Sequence, residues 1–212
     1  MTMMQDVLQS EGTAAVGVVQ SREELGILKG PGRAAAIWQR PSSPDFQRWI
    51  ETLNPKNLPS ARLVLRPQNV METLSELCTA AQTPEGEHRQ HLINDISALA
   101  EVFCEFMSAP YVRLRLDLVT SNACRKFHID ALTARLVCTY RGTGTQYGLS
   151  ADGAEPSQVF TVPTGAPILL RGTLWPEKPA SGLLHRSPPI EGSGETRLVL
   201  VLDPIFDLEE ER

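Results

Sequence analysis

The chain has 212 residues and a mass of 23.3 kDa, enough for one domain with a sizeable core or for a core plus a small appendage. Hydrophobic residues make up 42% and charged residues 21%, which excludes wholesale disorder, and the net charge of −5 has the wrong sign for a protein that coats nucleic acid. No apolar run approaches the roughly 20 residues that span a bilayer, and the opening MTMMQDVLQSEG has no basic segment followed by an apolar one, so neither a membrane partner nor a secretory leader is expected.

The signals before Pro110 are mostly helical. Ser21 with Glu24 reads as a short capping box. Residues 34–39 read as a strand. Residues 43–53 read as a helix carrying Phe46, Trp49, Ile50 and Leu53 on one stripe. Residues 61–66 are a second strand, stopped by Pro67. Asn69 caps a helix over 69–81, with Val70, Leu74, Leu77 and Cys78 aligned. The longest helix runs over 85–107, where Leu92, Ile96, Leu99, Val102, Phe103 and Phe106 make a broad apolar face.

After Pro110 the period becomes two. Residues 111–119 alternate Val112, Leu114, Leu116 and Leu118 with Arg113, Arg115 and Asp117. Further strands fall at 135–140, 159–162, 168–171, 183–187 and 197–203, separated by the Gly- and Pro-rich turns RGTGT, VPTGAP, WPEKPASG and PPIEGSG. The tail DLEEER reads as solvated. The expected fold is α+β: a helical N-terminal half packed on a C-terminal jelly-roll-like β core. Residues 1–33 form an N-terminal extension, 34–109 the mainly helical segment and 110–212 the β core, with 34–212 making one domain.

Four histidines and four cysteines bound the chemistry. His88 and His91 sit in the polar opening of the long helix, GEHRQHL, without a nearby carboxylate or thiol, and read as surface residues. His128 and Asp130 lie two apart in KFHIDAL, and an extended chain turns both to one face. His185, on another strand of the β core, is the remaining histidine. Two histidines and one carboxylate can occupy one face of an octahedral metal and leave three positions open. Cys124, four residues before His128, is a possible further ligand. With it the set becomes Cys, His, Asp, His, which closes a tetrahedral zinc site. The metal is therefore Fe(II) or Zn(II), as Cys124 stands out of or in the set. Without a metal, His128 reads as a core histidine bonded to a carbonyl and Asp130 as a turn cap. The cysteines form no CxxC pair, and Cys78, Cys104 and Cys138 read as buried apolar residues of a protein in a reducing cytoplasm.

The stretches SNACRKFHIDALTARLVCTYRGTGTQY, LLRGTLW, GLLHRSPP and GETRLVLVLD, together with AIWQRP, resemble a bacterial family, domain-of-unknown-function family 1826, from about Trp38 to Asp203. That resemblance implies a cytoplasmic bacterial protein and an association with zinc-handling GTPases. More distantly, the order HxD, Gly-strand, His, Arg is similar to the double-stranded β-helix (cupin-like) of Fe(II)/2-oxoglutarate-dependent oxygenases. Carried over, it implies His128, Asp130 and His185 as metal ligands and Arg197 as the anchor of the far carboxylate of 2-oxoglutarate. It also implies Tyr140 or Thr139 as a hydroxyl on the cosubstrate, Tyr140 otherwise reading as a core aromatic. From its position alone, Arg135 reads as a cavity residue or a partner of Asp130. The expected function is a metal-dependent hydroxylase of unknown substrate. The alternative is a zinc-binding protein of metal homeostasis without turnover. A homodimer through a strand edge is a further expectation.

Overall fold

The computed structural model describes residues 15–150, 153–176 and 182–209. The first fourteen residues of the 1–33 segment, residues 177–181 of WPEKPASG and the last three of the acidic tail lie outside the described residues. No helix among the described residues is long and apolar enough to cross a membrane.

The three expected helices form as α1 (Pro44–Thr52), α2 (Val70–Ala80) and α3 (Glu87–Met107). Ser43 caps α1, its hydroxyl accepting from the Phe46 amide at 3.4 Å, and Pro44 occupies the first turn, where its missing N–H costs nothing. The capping box at Ser21 is replaced by a different device. The Glu24 carboxylate accepts from the Gln20 amide at 2.9 Å, ahead of a short 3-10 turn over Glu23–Lys29.

The strands are β1 (Val16–Val19), β2 (Ala35–Trp38), β3 (Ala61–Leu65), β4 (Tyr111–Val119), β5 (Ala134–Arg141), β6 (Gln146–Leu149), β7 (Phe160–Thr161), β8 (Pro167–Arg171), β9 (Leu183–Arg186) and β10 (Arg197–Ile205). Seven of them form one sheet in the order β1-β2-β8-β5-β10-β4-β3, and the other three a small sheet, β7-β6-β9. All pairs are antiparallel except β1 with β2. The N-terminal half is thus not only helical. Its strands β1 and β2 extend one side of the large sheet and β3 closes the other.

The large sheet is covered on both faces, and residue parity sorts its side chains. Leu198, Leu200 and Leu202 of β10 join Leu136 and Cys138 of β5 in a cluster with Leu74, Ile96, Leu99 and Phe103 of the helices. Val199 and Val201 turn the other way and pack with Val137, Ile168, Leu170 and Leu183 between the two sheets. This double covering makes every residue of β10 buried.

A buried polar knot fastens the helical layer. Arg40 grips the Asp95 carboxylate of α3 with both terminal nitrogens, at 2.5 and 2.6 Å, and the Tyr140 hydroxyl donates to the same carboxylate at 2.5 Å. Burial pushes the neighbouring Cys138 thiol up to about 12 and the Tyr140 hydroxyl well above its ordinary range, so both stay neutral. His88 and His91 lie against the Phe46 and Trp49 rings, and they take no part in a metal cluster among the described residues.

Candidate metal centre

The segment holding His128 runs antiparallel to β9. The His128 amide donates to the His185 carbonyl at 3.1 Å, and the His185 amide donates back to the His128 carbonyl at 3.0 Å. Residues that exchange both backbone bonds are a cross-strand pair, so their side chains stand on the same face. The two imidazole rings accordingly lie 4.5 Å apart between centroids. Asp130, two residues beyond His128, keeps that face. Nitrogens and carboxylate oxygen of the three residues all fall within 4.8 Å of one another.

Their hydrogen bonds leave lone pairs directed at a common point. His128 Nδ1 lies 2.9 Å from the Lys126 carbonyl. A carbonyl can only accept, so Nδ1 donates to it, and Nε2 is the nitrogen left to face a metal. Asp130 Oδ1 accepts from Arg135 Nη1 at 2.5 Å and stands 3.5 Å from His128 Nε2. Asp130 Oδ2 is buried, 3.1 Å from His185 Nε2, and has no hydrogen-bond partner among the described residues. Burial opposes ionisation of Asp130. His185, Arg135 and His128 override it and hold the carboxyl down at about 2. An ionised carboxylate with one orphaned oxygen between two imidazole nitrogens fits a divalent cation.

The support reaches well behind the ligands. Arg135 continues to Asp203 of β10, its Nε and Nη2 donating to the two carboxylate oxygens at 2.6 and 2.9 Å. This fork fixes the guanidinium that in turn fixes Asp130. On the other flank the Asp130 carbonyl accepts from the Thr173 amide at 2.9 Å. A Cβ on Gly172 would overlap the carbonyl oxygens of Leu132 and Asp130, so glycine is needed for the 130–133 turn to lie against the end of β8.

The other expected site residues fall differently. Cys124 is exposed and outside the cluster, which corrects the four-ligand arrangement. Regular pairing would set Lys126 opposite Ser187. Instead the Lys126 carbonyl serves His128, and the Ser187 amide bonds Cys124 at 2.9 Å. This break in register carries the thiol away. Tyr140 is also corrected: it points to the helical face and is spent on Asp95, so it offers no hydroxyl to the inter-sheet space. Thr139 does face that space, near Arg197. Arg197 is fully buried, its Nε donating to the Thr143 carbonyl at 2.6 Å and its Nη2 lying 3.4 Å from Thr139 Oγ1. Burial pulls its pKa down to about 10 although Glu195 acts to raise it. Asp203 and Gly172 were not singled out in the sequence. An aspartate closing the apolar run RLVLVLD was the available signal for the first, and close backbone approach leaves none for the second.

A helical layer, a large sheet and a small sheet with a His-Asp-His cluster between them make this a double-stranded β-helix of the kind found in 2-oxoglutarate oxygenases. Two dioxygenases are among the solved structures that share it. Dioxygenase for auxin oxidation 1 from Arabidopsis thaliana, in its binary complex with 2-oxoglutarate, has a TM-score of 0.53 at 8% identity, over 92% of this chain and 94% of that one. The rice dioxygenase for auxin oxidation has a TM-score of 0.51 at 12% identity, over 90% and 83%. At such identities the likeness is one of fold. No curated protein matches the sequence. The chain belongs to the family described as "Protein of unknown function (DUF1826)", whose model matches residues 20–203.

Proposed function

We propose that this chain is an Fe(II)/2-oxoglutarate-dependent oxygenase. The observation that carries the reading is the His128, Asp130 and His185 cluster, with its orphaned carboxylate oxygen, set between the sheets of a double-stranded β-helix. Three ligands leave the rest of an octahedral sphere for cosubstrate and dioxygen. Bound iron would supply the redox chemistry, in which 2-oxoglutarate and dioxygen become succinate and carbon dioxide while one oxygen atom enters a C–H bond of the substrate.

The chain's own residues supply position and shielding. Lys126 sets the tautomer of His128, and Arg135 occupies Asp130 Oδ1 so that Oδ2 is the oxygen offered to the metal. Val137, Val199 and Val201 line the inter-sheet face with apolar surface that excludes water. Arg197, held by neutral oxygens and buried beside Thr139, is suited to the far carboxylate of 2-oxoglutarate, because a guanidinium grips a carboxylate through two parallel bonds.

Anaerobic addition of Fe(II) and 2-oxoglutarate should produce a visible charge-transfer band, absent in His185→Ala and kept in Cys124→Ser. If iron binds, no band forms and 2-oxoglutarate is never consumed, the oxygenase reading is wrong. Stoichiometric zinc lost on Cys124→Ser would favour the zinc-binding protein instead.

A further inference from the structure

The metal centre ends a row of rings that crosses the small sheet. His128 and His185 are a cross-strand pair. On the other side of β9, Tyr147 of β6 stands directly across from His185, and Phe160 of β7 directly across from Tyr147. Antiparallel partners share a face, so Phe160, Tyr147, His185 and His128 turn their rings the same way. The Tyr147 and Phe160 rings are stacked, 5.4 Å apart between centroids and 24° from parallel. Tyr147 and Leu149 pack against the apolar cluster between the sheets, so the shared face is the one turned to the large sheet. The alternate residues take the outer face, where Arg186 donates to Gln146 at 2.9 Å and lies over the Phe127 ring.

Side chains between two packed sheets are normally buried. Leu183, two residues before His185, is 3% exposed, and Val162, two residues beyond Phe160, is also 3% exposed. The two rings between them are different. Phe160 keeps 42% of its surface exposed, and Tyr147 is only half-buried although β6 is the middle strand of its sheet. The gap between the sheets therefore opens at this row and reaches past the edge strand to the neighbour of a metal ligand. A ring pair that served packing alone would gain from being covered, since an exposed ring forfeits the stabilisation that burial gives. A flat ring entering the gap would meet both side chains in offset-stacked or edge-to-face contact, which a saturated ring of the same size does not make.

We propose that Tyr147 and Phe160 form the substrate subsite of the metal centre, and that the subsite takes an aromatic ring. The inference rests on the oxygenase reading. A ring seated on this pair lies beside His185, which brings a C–H bond of the ring, or of a group carried on it, to the metal. The row of strand partners, running without a break from Phe160 to His128, ties the opening to the metal centre.

The test follows 4-fluorotoluene, and separately the saturated fluorocyclohexane, by fluorine NMR as each is added to the chain. The aromatic probe should bind the metal-free chain, and the saturated one severalfold more weakly. Loading the centre with Mn(II) should broaden the bound 4-fluorotoluene signal through its nearness to the paramagnetic ion, and loading with Zn(II) should not. Tyr147→Ala and Phe160→Ala should each weaken binding about fivefold or more. Tyr147→Phe, which keeps the ring, and Met71→Ala, on the exposed surface of α2, should leave it unchanged. Phe160 is exposed on an edge strand, so its variant keeps the test decisive even if Tyr147→Ala folds poorly. Failure of 4-fluorotoluene to bind, equal binding of the saturated ring, indifference to both alanine substitutions, or no broadening in a chain that holds Mn(II) would each overturn the proposal. Loss of the probe on saturation with Mn(II) and 2-oxoglutarate would overturn it too, by giving Tyr147 to the cosubstrate. Probe binding with this ring dependence, in a chain that gives no Fe(II)/2-oxoglutarate band, would leave the aromatic site standing and remove the oxygenase.

Discussion

Asp130 carries two loads at once, since one oxygen answers Arg135 and the other faces the histidines. Its carboxyl ionises at about 2 in the folded chain against an ordinary 3.8. A depressed acid contributes stability that is complete above its unfolded pKa and is lost as the pH falls through its folded one. The metal-free protein should therefore lose stability between about pH 4 and pH 2. Asp130→Asn should flatten that limb of the unfolding curve, as read by urea midpoints at successive pH values. An unchanged limb would mean that the Arg135 and histidine contacts do not hold in solution. The same substitution should abolish metal binding, because an amide cannot replace the charge that draws a divalent cation.

Between elements, the decisive contacts are backbone ones. The 130–133 turn is pressed against the end of β8 with no space for a side chain at Gly172. Gly172→Ala should push the turn outward and misplace Asp130. We expect metal affinity to fall by about tenfold to a hundredfold, the usual cost of disturbing the support of a ligand, while the far-ultraviolet circular dichroism stays native. Wild-type affinity in a folded variant would contradict the packing. At this scale much was legible. The helices announced themselves by their stripes, β4 by its alternation, and the His128–Asp130 pair by its two-residue step. His185 followed because the other histidines lay on a helix. Parity in β5 was visible too, but not which parity faces the helices, and so Tyr140 was given to the wrong side. The register break at Cys124 could not be read, because it depends on which donor captures the Lys126 carbonyl. Strands β1 (VGVV) and β6 (QYGL) each carry a glycine inside a four-residue run, which removes the alternation that marks a strand.

For the molecule as a whole, the helical layer is held by more than its apolar stripe. Asp95 is the carboxylate on which Arg40 and Tyr140 both depend. Asp95→Ala would strand a mostly buried guanidinium and should cost about 3–5 kcal/mol in chemical denaturation. A loss under about 1 kcal/mol would show the knot to be dispensable. The centre of the large sheet has a consequence for how the chain is made. β10 is the last of its strands in sequence, yet it lies between β5 and β4. Until residues 197–205 leave the ribosome, β3 with β4 and β1, β2, β5 with β8 are two separate half-sheets. Each presents a raw inner edge and uncovered apolar faces. Pairing of distant segments is slow and exposes such edges to other chains. Closure of this sheet thus waits on residues 197–205, and a chain that lacks them should carry two open strand edges prone to pair with other chains.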